Sequence, residues 1–199
     1  MIDKRPLLGL GTALLAVGVM ITGCAGPVDD DAPPKISAPS TSTPTSPRPA
    51  DMTPDELYRL ATAQYRKLFD IMAKVEIQGG ALQLPAEASR YAMNPALDAI
   101  GDLYREMYFT GDSYIVEPKF SIIAIGAWDP AEGPADAVTA LQTCEVADGG
   151  AMVTSDGTVM PDDGPAMSSR RGYFKVDPTD GQLKVFILNG EGVDSCPID

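Results

Sequence analysis

The chain is banded by hydropathy. Leu7 to Ile21 carries no charged residue, an apolar run behind Asp3, Lys4 and Arg5. Ala25 to Met52 then holds Pro27, Pro33, Pro34, Pro39, Pro44, Pro47 and Pro49, with Ser40-Thr41-Ser42-Thr43 between them and no aromatic residue. Such a segment buries too little apolar surface to order itself, and reads as an extended linker of about 3.1 Å per residue. Helical periodicity starts after it. Thr53-Pro54-Asp55-Glu56 is a capping box, with Thr53 as N-cap and Pro54 at the first helical position. Leu57, Leu60, Ala61, Leu68, Met72 and Val75 follow at helical spacing, with Tyr58, Tyr65, Phe69 and Ile71 widening the stripe. Gly79-Gly80 ends that helix. Pro85–Tyr91 reads as a short second helix. A third starts at Asn94-Pro95, buries Leu97, Ile100, Tyr104, Met107 and Tyr108, and stops at Gly111.

After Gly111 the period changes to two. Tyr114–Trp128 reads as one long strand bent near Pro118, and Ala137–Val146 as a second. Ala151–Ser155 and Thr158–Met160 flank the turn Asp156-Gly157. Arg171–Val176 and Leu183–Leu188 flank Pro178-Thr179-Asp180-Gly181. Helices first and antiparallel strands second predict an α+β domain, with helices packed on one face of a curved antiparallel sheet. Phe120-Ser121-Ile122-Ile123-Ala124-Ile125 is apolar in both strand phases, which predicts cover on both faces. Helices supply one cover. Either a homodimer partner or the far wall of the sheet supplies the other.

Charge and composition narrow the chemistry. The net charge of −13 argues against nucleic acid, and against docking on anionic lipid by charge. The chain has no histidine. That excludes His-based zinc and copper sites, and serine or cysteine nucleophiles served by a histidine base. Asp148, Asp156, Asp162 and Asp163 sit in Gly-rich loops without the D-x-D-x-D-G spacing of a calcium loop. No metal and no cofactor is therefore expected. Carboxylates, tyrosines and arginines remain. Asp98 and Asp102 are four residues apart on one helical face, and read as a carboxylate pair or as a solvated face. Arg170-Arg171 reads as a grip on an anion or as surface ion pairs.

The apolar run ends in Ile21-Thr22-Gly23-Cys24. With its cationic start and a length of about 15 residues, it suits a signal-peptide core and is too short for an ordinary span of roughly 20. The segment resembles the lipobox of bacterial lipoproteins. The resemblance implies cleavage before Cys24 and acylation of its thiol. It divides the chain into a signal peptide over 1–23, a tether over 24–52 and a domain over 53–199. It places the domain on the extracytoplasmic side of the cell membrane, held by the lipid anchor at Cys24. Processing would remove Asp3, Lys4 and Arg5 and leave a net charge of −14. Two cysteines remain, Cys144 and Cys196, and in an exported chain they most simply pair with each other.

Over Thr53–Pro197, three helices followed by a long-hairpin antiparallel sheet resemble the NTF2-like (cystatin-like α+β) superfamily, in the form carried by small actinobacterial lipoproteins. The resemblance implies a conical pocket between helices and sheet, with Tyr91, Tyr104, Tyr108 and Trp128 as candidate lining residues. It also implies a bond between a cysteine late in one strand and one after the last strand, as Cys144 and Cys196 are placed. The Asp–His catalytic pair of such folds is impossible here. No catalytic residue is assigned, and the expected role is binding of a small molecule or an envelope partner. The rival readings are a hydrolase or isomerase using Asp or Glu with Tyr, and a sheet-mediated dimer acting as an accessory subunit. The anchor is open to direct test: Cys24→Ala, or inhibition of the lipoprotein signal peptidase, should leave a longer, unacylated precursor detectable by intact mass.

Overall fold

Helix α1 (Pro54–Ile77) begins at its capping box. Thr53 Oγ1 accepts the Glu56 N–H, and Glu56 Oε2 accepts the Thr53 N–H at 2.8 Å. Two of the orphan donors of the first turn are thus satisfied. The computed structural model describes residues 47–160 and 166–198. The expected signal peptide, Cys24 and most of the expected tether lie outside them, as do Asp162 and Asp163. One 3-10 turn, Pro49–Asp51, precedes α1.

α1 buries Ala61, Tyr65, Leu68, Phe69, Ile71, Met72 and Val75. Gly79 and Gly80 both take positive φ and end it. Gly80 is also needed for space: an added Cβ would lie 2.6 Å from Tyr108 N. That close approach carries the end of α1 against α2 (Ala96–Thr110), and Ala81 N–H donates to Tyr104 O at 3.0 Å. Gly111, at φ 73°, closes α2 in the left-handed conformation. Pro85–Tyr91 proves too short for an α-helix and forms a 3-10 turn, Ala86–Arg90. The chain beyond it pairs with the sheet edge. Met93 N–H donates to Val185 O, and Val185 N–H to Tyr91 O.

The strands are β1 (Ser113–Val116), β2 (Lys119–Trp128), β3 (Thr139–Asp148), β4 (Ala151–Val153), β5 (Val159–Met160), β6 (Ala166–Val176) and β7 (Leu183–Gly192). The main sheet is antiparallel in the order β2-β3-β6-β7, and a smaller one runs β1-β4-β5. The single strand expected over Tyr114–Trp128 is therefore two strands in two sheets. Pro118 has no N–H to continue a ladder, and Gly150 sits so close that an added Cβ would lie 2.9 Å from its ring. Both β6 and β7 run further than their apolar phases predicted. Ser168–Arg171 pair with Asn189–Gly192 in register, so polar residues and glycines continue the ladder.

Phe174, Leu141, Leu183 and Val185 face α1 and α2 and close the main core. The opposite face carries a smaller cluster, Ala140, Tyr173 and Phe186, with Trp128 packed against it. Cys144 alternates with the helix-facing Thr143 and so points to this second face. It is bonded to Cys196 across a Cα–Cα distance of 5.7 Å. The last residues thus lie on the sheet, where an added Cβ at Gly126 would meet Ile198 at 3.1 Å. The chain's own C-terminus covers part of the face opposite the helices, while Ile123, at a bulge in β2, is 53 % exposed.

The β6–β7 turn is pinned by charge. Lys184 Nζ lies 2.8 Å from Asp177 Oδ2 and 2.7 Å from Asp180 Oδ2. The Lys184 contact, with help from Thr179, holds the Asp177 carboxyl well below the usual range. The disulfide closes a separation of 52 residues. On the chain-entropy account, the double change Cys144→Ala with Cys196→Ala should cost about 4 kcal/mol, read as a lowered denaturation midpoint in the oxidised protein.

Candidate functional site

A cavity of about 310 Å³ lies between α1, α2 and the helix-facing side of the main sheet. Phe69, Met72, Phe120 and Met167 form apolar walls, and Glu76, Tyr104, Glu145, Ser168 and Arg170 the polar ones. Its volume is at the lower end of the range for small-molecule pockets, about 300–1,000 Å³.

Five elements bring the polar groups together. Glu76 is one helical turn beyond Met72 and continues the inward stripe of α1 to its last turn. Tyr104 comes from the buried face of α2, and Tyr114 from β1. Glu145 stands in the same strand phase as Leu141 and Thr143, pointing at the helices. Arg170 comes from the extended part of β6, across from Thr143.

The two carboxylates are held differently. Glu145 is buried, and the Tyr65 hydroxyl donates to its Oε1. Thr143 Oγ1 donates to the same oxygen at 3.1 Å. Arg170 Nε lies 2.8 Å from Glu145 Oε2, an ion pair rather than an aligned hydrogen bond. Glu76 has looser company: the hydroxyls of Tyr104 and Tyr114 stand 3.4 Å from its two oxygens. Burial raises the Glu76 pKa above its ordinary value, against the opposing pull of the Arg170 charge and the two tyrosines. Burial, then the Glu145 charge, pushes the Tyr65 phenol far up. Burial and Glu76 raise Tyr104 as well, and push Tyr114 to about 12. All three phenols are therefore neutral donors at neutral pH. For Arg170, burial pulls downward, but the surrounding acidic groups, Glu145 first and then Tyr65, Tyr104 and Glu76, together outweigh it, so the guanidinium stays charged.

Chemically, this is a fixed guanidinium–carboxylate–phenol network beside a second, more weakly held carboxylate. Two carboxyls in unlike surroundings are the arrangement from which acid–base pairs are made.

Of the tyrosines and tryptophan expected at the pocket, Tyr104 lines the cavity. Tyr91 packs beside the core at the β7 edge, because its backbone is committed to Val185. Tyr108 is 48 % exposed and stands edge-on to Phe109, on the outer side of α2. Trp128 lies on the face opposite the helices, beneath the Arg171 guanidinium at 4.2 Å. Strand alternation splits the Arg170-Arg171 pair, one into the cavity and one onto Trp128. Asp98 and Asp102 are both solvated, and Asp102 pairs with Arg105. Asp156 closes its own turn by accepting from Thr154 and Thr158. No group of three potential metal ligands forms among the described residues.

Sequence reasoning missed Tyr65, Glu76, Tyr114 and Glu145. A signal was present in two of them: Glu76 and Glu145 are charged residues in the apolar phase of an amphipathic helix and of a buried strand.

The helices packed on antiparallel strands, with a cavity between them, define an α+β domain by architecture. No family model matches the chain, and no curated protein matches it. Among solved structures, it is similar to a ketosteroid isomerase-like protein from Erwinia carotovora atroseptica, at 14% identity and TM-score 0.42, covering 71% of this chain and 99% of that one. It is also similar to the intermembrane space region of the chloroplast protein ARC6, at 13% identity and TM-score 0.39, covering 69% of this chain and 97% of that one.

The raised pKa of Glu76 has a definite sign for stability. The folded state holds the Glu76 proton more tightly than the unfolded chain does. Stability therefore falls as pH rises from the ordinary value of 4.5 through the folded-state pKa. Glu76→Gln should raise the melting temperature at neutral pH, with the gain vanishing below about pH 4.5; equal melting curves at every pH would contradict the burial of a charge at this position.

Proposed function

We propose that this chain is a surface lipoprotein, anchored by acylated Cys24 and carried on the tether 24–52, whose NTF2-like domain binds a small molecule without transforming it. The cavity carries this reading. It lies between two helices and the sheet, its walls are more apolar than polar, and its few polar groups come together. That is the make-up of a ligand pocket, in which apolar surface supplies affinity and placed polar groups supply orientation. The Glu145–Arg170 pair belongs to the wall. Tyr65 and Thr143 donate to Glu145 Oε1 and Arg170 stands at Oε2, while Tyr104, Ser168 and Glu76 line the same cavity. The NTF2-like assignment is supported by the order of elements: helices first, then the β2-β3-β6-β7 antiparallel sheet closing over them. The anchor is supported by the cationic start, the short apolar run and the lipobox.

One observation favours a second reading, a proton-transfer enzyme such as an isomerase. Glu76 is a partly buried carboxyl of raised pKa beside the cavity, with two neutral phenols at hand. A carboxyl whose pKa is raised by burial is the kind of group that general acid–base catalysis uses.

Native mass spectrometry of the full chain, isolated from the envelope of its own host, separates the readings. The expected result is a co-purifying small molecule that is released unchanged. A mass shift that turns into a second product on incubation, and is abolished by Glu76→Gln, would establish the enzyme instead. A protein free of ligand in repeated preparations would reject the pocket as a binding site.

A further inference from the structure

Glu76 and Glu145 line one cavity and occupy opposite electrostatic positions. Glu145 is consumed by Arg170, Tyr65 and Thr143. Glu76 enters no ion pair among the described residues. The charged and titratable groups facing it are Tyr104 from α2, Tyr114 from β1, Glu145 from β3 and Arg170 from β6. The one cation in that set is already bonded to the other carboxylate. The cavity therefore holds two carboxylates against one guanidinium, with the surplus charge on Glu76.

We propose that the cavity takes a small organic cation, a protonated amine on an apolar body, with Glu76 as its counter-ion. This rests on the ligand-binding reading above and narrows it to one chemical class. A neutral ligand would leave the partly buried Glu76 charge without a partner, or favour uptake of a proton by the carboxyl. An anion would meet two carboxylates, with the one arginine already paired to Glu145. A cation supplies what the wall lacks, and charge-assisted bonds to a carboxylate are stronger than neutral ones. The walls suit the rest of such a ligand. Phe69 and Phe120 place aromatic rings in the wall, a residue type that attracts cations, and Met72 and Met167 adapt to irregular apolar shapes.

Three probes of one shape test this on the full chain by ligand-observed NMR titration: phenethylamine, 2-phenylethanol and 3-phenylpropanoate. Phenethylamine should bind at least about tenfold tighter than the alcohol at neutral pH. Glu76→Gln should erase that advantage, so that the amine binds no more than about twofold tighter than the alcohol. In the unmodified protein the amine advantage should fade as pH falls and Glu76 takes up a proton, so the inference is testable even where the variant folds poorly. Alcohol binding equal to amine binding, or a preference for the propanoate, would overturn the cation assignment while leaving a ligand pocket standing. An amine preference that survives Glu76→Gln would overturn the role of Glu76. Binding of none of the three would overturn the assignment and the ligand reading together.

Discussion

A buried carboxylate on the helix-facing side of β3 is the constraint around which this domain is organised. Glu145 sits where an amphipathic strand would ordinarily place an aliphatic side chain. A lone ionised carboxylate there would be costly, so the fold must deliver a cation and hydrogen-bond donors to the same point. Arg170 arrives from β6, the Tyr65 hydroxyl from the middle of α1, and Thr143 from Glu145's own strand. The pair adds little net stability over an apolar replacement. Breaking it by removing one partner costs about 3–5 kcal/mol, because a charge is then stranded. Its effect is to specify: slip β6 by one residue, and Arg170 and Arg171 exchange faces. The β6–β7 register is guarded in turn by Lys184, held between Asp177 and Asp180.

The same logic shapes the cavity. Gly80 lets the end of α1 touch the α2 backbone, which sets Glu76 opposite Tyr104. The extended half of β6 closes the far wall with Met167, Ser168 and Arg170. Apolar packing of Leu68, Phe174, Leu141 and Val185 fills the other end of the space between helices and sheet. One interior thus has a dry end, where side chains meet, and a polar end, where they leave room.

Local signals in the sequence were read correctly where a local cause acts. The capping box at Thr53, the glycine stops at Gly80 and Gly111, and the turn after Val176 each follow from residues within a few positions. The pairing of Cys144 with Cys196 was legible because the alternatives were few. The extensions of β6 and β7 were not legible. Ser168–Arg170 and Asn189–Gly192 have loop-like compositions, and only their mutual pairing makes them strands. Tyr91, Tyr108 and Trp128 looked like pocket residues because aromatic side chains suit core, rim and exposed positions alike. Glu76 and Glu145 were overlooked for the opposite reason. A charged residue in an apolar phase reads as a break in the pattern until the partner that justifies it is in view, and that partner comes from another element.

Helix α1 carries Thr53 at one end and Glu76 at the other, about 35 Å apart at 1.5 Å per residue. A disturbance of the capping box therefore strikes the domain a full helix length from the carboxylate, with the apolar stripe of α1 between the two. The end of the helix that fixes where the domain begins is not the end that shapes the cavity.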